Sequence, residues 1–162
     1  TGIAVGTGPG PYTGLRVGVV TARVLGSALQ IRTDGICSLD VIAADAHAAA
    51  AGSEYLVATD ARRREVYWAR YTATGARVAG PQVGRPADLP AGLPVAGSAL
   101  ELYPELGGGT ATLILPCYPS AARLAALAAT RLAAGAAPGP AEPLYLRRPD
   151  AREPGKPKRV TP

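Results

Sequence analysis

Apolar positions change their period twice along this chain, and each change marks an element boundary. Ile3 to Val5 is a short apolar run ending at Gly6, the pattern of a buried strand that feeds a glycine-rich loop. A helical period follows, with Thr13 placed to cap a helix reaching about Leu29. "QIRTDGICS" reads as a short extended crossover. Ser38 then caps a second helix through the alanine-rich "LDVIAADAHAAAAG", which Gly52 stops.

From residue 53 the period becomes that of strands. Tyr55 to Thr59 forms a β-rich run, "DARRRE" a polar turn, and Val66 to Thr72 a second strand paired with the first as a hairpin. "TATGAR" turns the chain towards a third strand. Residues 80 to 94, rich in Pro and Gly, are expected to cross the surface, and "PVAGSALELYPEL" reads as a short strand, a serine cap and a brief helix. The helical period returns in 119 to 134, with Leu124, Leu127 and Leu132 on its apolar side. "GAAPGPAEP" reads as a flexible connector and "LYLRR" as a last short strand. No internal repeat appears. The pattern is α/β with an antiparallel component, in three parts: 1–52, 53–151 and a tail, 152–162.

Charge alters this picture at one end only. The net charge of +5 is concentrated in residues 147 to 162, where Arg147, Arg148, Arg152, Lys156, Lys158 and Arg159 face only Asp150 and Glu153. That leaves the body close to neutral and marks the tail as a solvated segment or a contact for RNA or an acidic partner. Two cysteines without CxxC spacing and a single histidine exclude a zinc cluster of the usual kind and point to a reduced, cytoplasmic setting. With no run of about 18 apolar residues and no leader pattern, the chain reads as soluble, with no membrane association. The opening Thr-Gly-Ile-Ala-Val and the absence of methionine suggest a chain trimmed or incompletely represented at its start.

"GTGPGPYTGLRVG" is the densest candidate for chemistry. A glycine loop opening a helix cradles phosphate through amides and the helix dipole, so Gly8, Gly10 and Thr13 are candidate phosphate contacts. Neither the dinucleotide spacing nor the Gly-Lys-Ser/Thr of a P-loop is met, however. Behind the loop, Gly14, Gly18, Ala22 and Gly26 recur every four residues, a nearly bare ridge along which another backbone can pack closely. Its occupant is either the chain's own sheet or second helix, or another subunit. Arg16 and Arg23, seven apart, share a side of this helix, placed for solvent or for a partner's carboxylate.

Nucleophilic machinery is hard to find. His47 lies in an alanine run without HxxxH or HExxH spacing and reads as a bystander. Cys37 and Cys117 belong in or near the core. Asp60, at a strand end, is the most interesting acid, and capping the hairpin turn is its favoured role. Arg62, Arg63 and Arg64 beside it suit either phosphate or a solvated turn.

Three stretches in this order resemble one family. "GPGPYTGLRVGVVTARVLG" is similar to a GPGSFTGLR signature, "ATDARRREVYWARY" to a D-A-R-x-x-E-V-Y hairpin, and "AEPLYLRRPDA" to a P-x-Y-L-R ending, all features of the TsaB (YeaZ) family. The resemblance implies a two-lobed actin/Hsp70-like (ribonuclease H-like) ATPase fold in a catalytically degenerate relative of TsaD. Such a subunit binds and supports a TsaD-type transferase making N6-threonylcarbamoyladenosine at position 37 of ANN-decoding tRNAs. A TsaE-type ATPase joins the complex. It implies no metal and no cofactor on this chain alone, ATP or ADP only in the complex, and tRNA contact that is indirect or through the basic tail. It assigns Gly14, Arg16, Gly18, Ala22 and Gly26 to the partner interface.

This chain departs from the family at Pro11-Tyr12, where the signature has Ser-Phe, and losing that hydroxyl weakens the phosphate reading. It also lacks the family's opening strands and A-x-D-T-S segment, about 50 to 60 residues that a complete first lobe would need. A nucleotide hydrolase or glycoprotease-like enzyme of the same superfamily, and a homodimer using the same apolar helix, are the alternatives.

Overall fold

In a computed structural model, residues 1–109 and 111–147 are described. The tail of the sequence reading lies outside them. Strand β1 (Gly2–Gly6) leads through the glycine loop into α1 (Tyr12–Leu29), and β2 (Arg32–Ile36) returns parallel to β1. Thus "QIRTDGICS" holds a paired strand rather than a bare crossover. Helix α2 (Ser38–Ala46) follows, then β3 (Tyr55–Asp60), β4 (Val66–Tyr71) and β5 (Arg77–Gly84). β6 (Val95–Ala96), the short α3 (Ala99–Leu102), β7 (Leu113–Ile114) and α4 (Ala121–Ala133) complete the described elements.

The second sheet has the order β5-β4-β3-β6-β7, antiparallel across β3–β4–β5 and parallel across β3–β6–β7. β3 is central and buried on both faces. Alternation sends Tyr55 and Val57 to one face, where Leu39, Ile42 and Ala46 of α2 cover them, while Leu56 and Ala58 meet Val66, Val95 and Leu106 on the other. Helix α2 therefore belongs to the core of the second sheet, although in sequence it precedes residue 53. A smaller core joins α1 to β1 through Val5, Val19 and Ala22.

Several boundaries differ from the sequence expectation for identifiable reasons. Thr13 does not cap α1: Pro11 holds the N-cap position with φ −58°, its carbonyl accepts from Leu15 N at 2.9 Å, and no side chain caps the end. Ser38 likewise begins α2 instead of capping it. That helix stops at Ala46, and the alanines beyond it form turns before Ala51 and Gly52 reverse the chain with positive φ. Residues 80–84 extend β5, and "LYLR" forms no strand within the described residues. α4 is capped as its sequence suggests, with Ser120 Oγ accepting from Arg123 N, but none of its residues is buried. No helix among the described residues is long and apolar enough to cross a membrane.

Two protonated groups in the first core give the fold a pH limit. Burial, then the charge of Asp40 and the hydrogen bond Tyr71 Oη donates to it at 2.8 Å, push the Tyr71 phenol far above its ordinary 10.0. Burial, then Asp40, also raises the Cys37 thiol above 9.0. The native state holds both protons more tightly than the unfolded chain does, so their contribution is complete below the unfolded values and declines as pH rises past them. Unfolding free energy from urea titrations is therefore expected to hold steady to about pH 8 and to fall between about pH 9 and 10.5. Tyr71→Phe should flatten the upper part of that slope; an unchanged slope would exclude Tyr71 as its source.

Candidate functional site

A cleft of about 580 Å³ opens between the glycine loop and the second sheet. Pro9 to Pro11, with Gly14 and Leu15 from the first turn of α1, make one wall. Thr59, Asp60 and Arg62 at the end of β3 make another, and Ser98, Glu101, Leu102 and Tyr118 close the third. Volume alone suits a small molecule.

Of the candidate phosphate contacts, only Gly10 lines this cleft. Gly8 is buried with φ 97°; a Cβ there would crowd Leu15 Cδ2 at 2.9 Å, and its carbonyl accepts from Ser38 N at 2.7 Å. Its role is the tight turn from β1 to α1. Thr13 is exposed in the first turn of α1 and is not among the residues lining the cleft. Pro9 and Pro11 carry no N–H, Thr7 N donates to Ile36 O at 2.9 Å, and Asp60 and Glu101 make the opposite walls acidic. The two prolines leave this wall fewer amides for a phosphate than a glycine loop usually offers, and Arg62 is the cation beside it.

Asp60 is held by its neighbours. Its Oδ1 accepts from Arg62 N at 2.8 Å and from Tyr103 Oη at 2.9 Å, and Arg62 Nη1 lies 3.5 Å from Oδ2. The first of these is the turn cap expected from sequence. Burial, then the bond to Asp60, raises the Tyr103 phenol above 10.0, so it stays a donor. Cys117 Sγ donates to Glu101 Oε1 at 3.4 Å, and burial followed by that bond raises its thiol above 9.0. A thiol held protonated by a carboxylate is poorly prepared to attack. His47 lies on the far side of α2, its ring 6.5 Å from that of Tyr55, and no group of three metal-binding side chains occurs among the described residues. Ser98, Glu101, Tyr103 and Tyr118 went unnoticed in the sequence because they share no motif with Asp60, lying some 40 to 60 positions away.

The four-residue ridge divides. Ala22 and Gly26 are buried against the chain's own first sheet, where a Cβ on Gly26 would overlap Thr33 Oγ1. Gly14 and Gly18 are exposed, with nothing within 4 Å of the Cβ position. The reason is geometric: residues four apart advance about 40° beyond a full turn, so the ridge winds from solvent onto the sheet. Around the open glycines stand Val17, Val20, Val24, Leu25 and Leu29, each between 47% and 62% exposed. Arg16 borders this face, donating to Tyr12 Oη at 2.9 Å with its guanidinium over the same ring.

Residues 1–114 match the family described as TsaD: tRNA N6-adenosine threonylcarbamoyltransferase. An uncharacterised protein of Mycobacterium leprae is 47% identical over 152 residues, which make up 93% of this chain and 39% of that protein. The tRNA threonylcarbamoyladenosine biosynthesis protein TsaB of Escherichia coli is 38% identical over 69 residues, 43% of this chain and 30% of that one. The matched residues make up well under half the length of either relative, and 65% of a Mycobacterium tuberculosis protein that is likewise 47% identical. A crystal structure of a Pseudomonas aeruginosa protein, described as uncharacterised with similarity to peptidase YeaZ, superposes with a TM-score of 0.73 at 29% identity, over 88% of this chain and 71% of that one. On these matches the chain belongs to the TsaD family, within its TsaB (YeaZ) group, and has that family's actin/Hsp70-like α/β fold.

Proposed function

We propose that this chain is a non-catalytic subunit that binds and supports a TsaD-type transferase in forming N6-threonylcarbamoyladenosine on tRNA. The observation that carries the reading is the outer face of α1. Amphipathic helices of compact domains turn their apolar stripe inward. Here α1 does so with Leu15, Val19 and Ala22, and presents a second apolar stripe outward. The exposed valines and leucines from Val17 to Leu29 run about 18 Å along the helix, with two glycines at one end, and suit a second helix. Family membership supplies the partner.

The cleft supports the non-catalytic part. Its Asp60 caps a turn, the Cys117 thiol bonded to its Glu101 is held protonated, and two prolines without an N–H stand in its glycine-loop wall, which supports ATP or ADP in the assembled complex, where a TsaE-type ATPase would join. Light scattering of the chain alone and mixed with the TsaD-type subunit of its own organism tests the reading, with threonylcarbamoyladenosine on a tRNA transcript as the second readout. A stable heterodimer that modifies tRNA only when both subunits are present is expected. A chain that forms only homodimers, or hydrolyses peptide or nucleotide unaided, would overturn it.

A further inference from the structure

Helix α1 carries two arginines and no acid in its 18 residues. Arg16 and Arg23 are both exposed and stand seven residues apart, so they share one side of the helix, about 20° apart around its axis and about 10.5 Å apart along it. That side borders Val20, at the edge of the outward apolar stripe.

Other arginines of this chain find carboxylates: Arg32 pairs with Asp34, Arg77 with Asp40, Arg85 with Asp88 and Arg123 with Asp45. Arg16 and Arg23 form no ion pair among the described residues. Arg23 makes no hydrogen bond either, and Arg16 gives one, from Nη1 to Tyr12 Oη, which leaves its Nε and Nη2 donors unused. The acids of the neighbouring segments do not reach them. Asp34, on the strand beneath the helix, is engaged by Arg32, Arg131 and Gly139 N, while Glu142, next to Ala141 of the first core, is exposed and pairs with neither arginine.

Arg16 is also held in advance. Its guanidinium lies 5.3 Å from the centroid of the Tyr12 ring, and that ring packs against Tyr145 with centroids 5.1 Å apart. A fork already fixed in place loses less freedom on pairing than a loose one. Charge then discriminates between occupants of this face. A second copy docked α1 against α1 would bring two arginines from each helix to one seam with no acid from either, and like charges oppose association. A helix with two carboxylates seven residues apart would meet both arginines while its apolar side covers the valines and leucines.

We infer that the outer face of α1 receives an amphipathic helix carrying two carboxylates one heptad apart, and that Arg16 and Arg23 make this face select such a helix over a second copy of the chain. That the helix belongs to the TsaD-type subunit rests on the function proposed above.

The test is titration calorimetry of the full chain with the TsaD-type subunit of its own organism across a salt series, with thermal melts of every variant alongside. Native affinity should fall as salt rises, because exposed pairs are screened. Arg16→Gln/Arg23→Gln should bind about fivefold to tenfold more weakly at low salt and lose most of that salt dependence. Arg16→Glu/Arg23→Glu should bind at least about 100-fold more weakly, and its affinity should rise with salt, since the same screening now relieves repulsion. Arg16→Lys/Arg23→Lys keeps the charges and should retain most of the affinity. Arg23→Gln alone breaks no hydrogen bond or ion pair within the chain, so its share of the loss cannot come from a disturbed Tyr12 stack. Equal affinity and equal salt dependence in the native and glutamine chains would overturn the inference. So would native self-association through α1 that is tighter than binding to the transferase subunit. Failure of the native chain to bind that subunit would remove the proposed function and the inference together, whereas assembly untouched by the arginine changes would remove the inference alone.

Discussion

Gly18→Leu is expected to leave the chain folded and to abolish assembly with the TsaD-type subunit, whereas Gly26→Leu is expected to disrupt the chain itself. The two glycines lie eight residues apart on one helix and in opposite environments. No atom approaches the Cβ position of Gly18, and replacing an exposed helical glycine removes a penalty of about 1 kcal/mol, so the melting temperature should hold or rise. The added isobutyl group would stand in the one stretch of the outer face where another backbone can come close. Loss of that approach should weaken association by about 100-fold or more, the equivalent of ~3 kcal/mol. At Gly26 a side chain meets Thr33, whose hydroxyl already reaches Ala22 O at 3.4 Å, and the Ile31 carbonyl at 3.2 Å from the Cβ. Overpacking of such a seam costs about 1–3 kcal/mol. Light scattering and thermal melts of the two variants side by side separate interface from core. Normal assembly of Gly18→Leu would remove α1 from the interface.

The hairpin was legible because two short β-rich runs flank a turn of charged residues; paired in register, Tyr55, Val57, Ala69 and Tyr71 share the α2 side. Helix α1 was legible in extent but not in its start. Thr13 carries a typical capping side chain, yet Pro11 had already set the backbone two residues earlier. The alanines after Ala46 carry strong helical preference and no stop signal; only tertiary packing, which ends with Ala46 and Ala50 against the sheet, shows where the helix stops being supported. The ridge on α1 looked uniform because a count of every fourth residue ignores the drift of the helix, and that drift separates a surface for a partner from a seam of the chain itself. The cleft was legible at one wall only. Asp60 and Arg62 of a second wall were singled out one by one, but nothing joined them to the loop; the third wall comes from Ser98, α3 and Tyr118, brought in through the parallel pairing of β6 with β3, which no local pattern encodes.

The connector after α4 illustrates the same limit, and its anchoring leads to the second large effect: Asp34→Ala is expected to release it. Proline and glycine marked residues 135–143 as loop, yet the segment is fastened along β2. Gly35 N donates to Gly139 O at 3.1 Å, Gly139 N to Asp34 Oδ1 at 2.8 Å, and Leu144 N to Thr7 O at 2.8 Å. Asp34 is 3% exposed, with Arg32 Nη2 3.5 Å from Oδ2 and Arg131 Nη1 3.7 Å from Oδ1. Both arginines keep contact with water, so their loss of a partner costs less than breaking a fully buried pair, and the backbone bond to a charged acceptor dominates. A destabilisation of about 2 kcal/mol follows. It should make the connector open about 30-fold more often, read as faster limited proteolysis between residues 134 and 141. Asp34→Asn keeps an acceptor for Gly139 N and should fall between native and Asp34→Ala. Gly35→Ala should reproduce the release by another route, since its Cβ would overlap the Pro140 carbonyl. The connector carries the chain from α4 past the glycine loop to Arg147 under the β3–β4 turn, so its release should also loosen that turn while leaving the outer face of α1 able to assemble. Cleavage of Asp34→Ala at the native rate would show that the connector is held by packing alone.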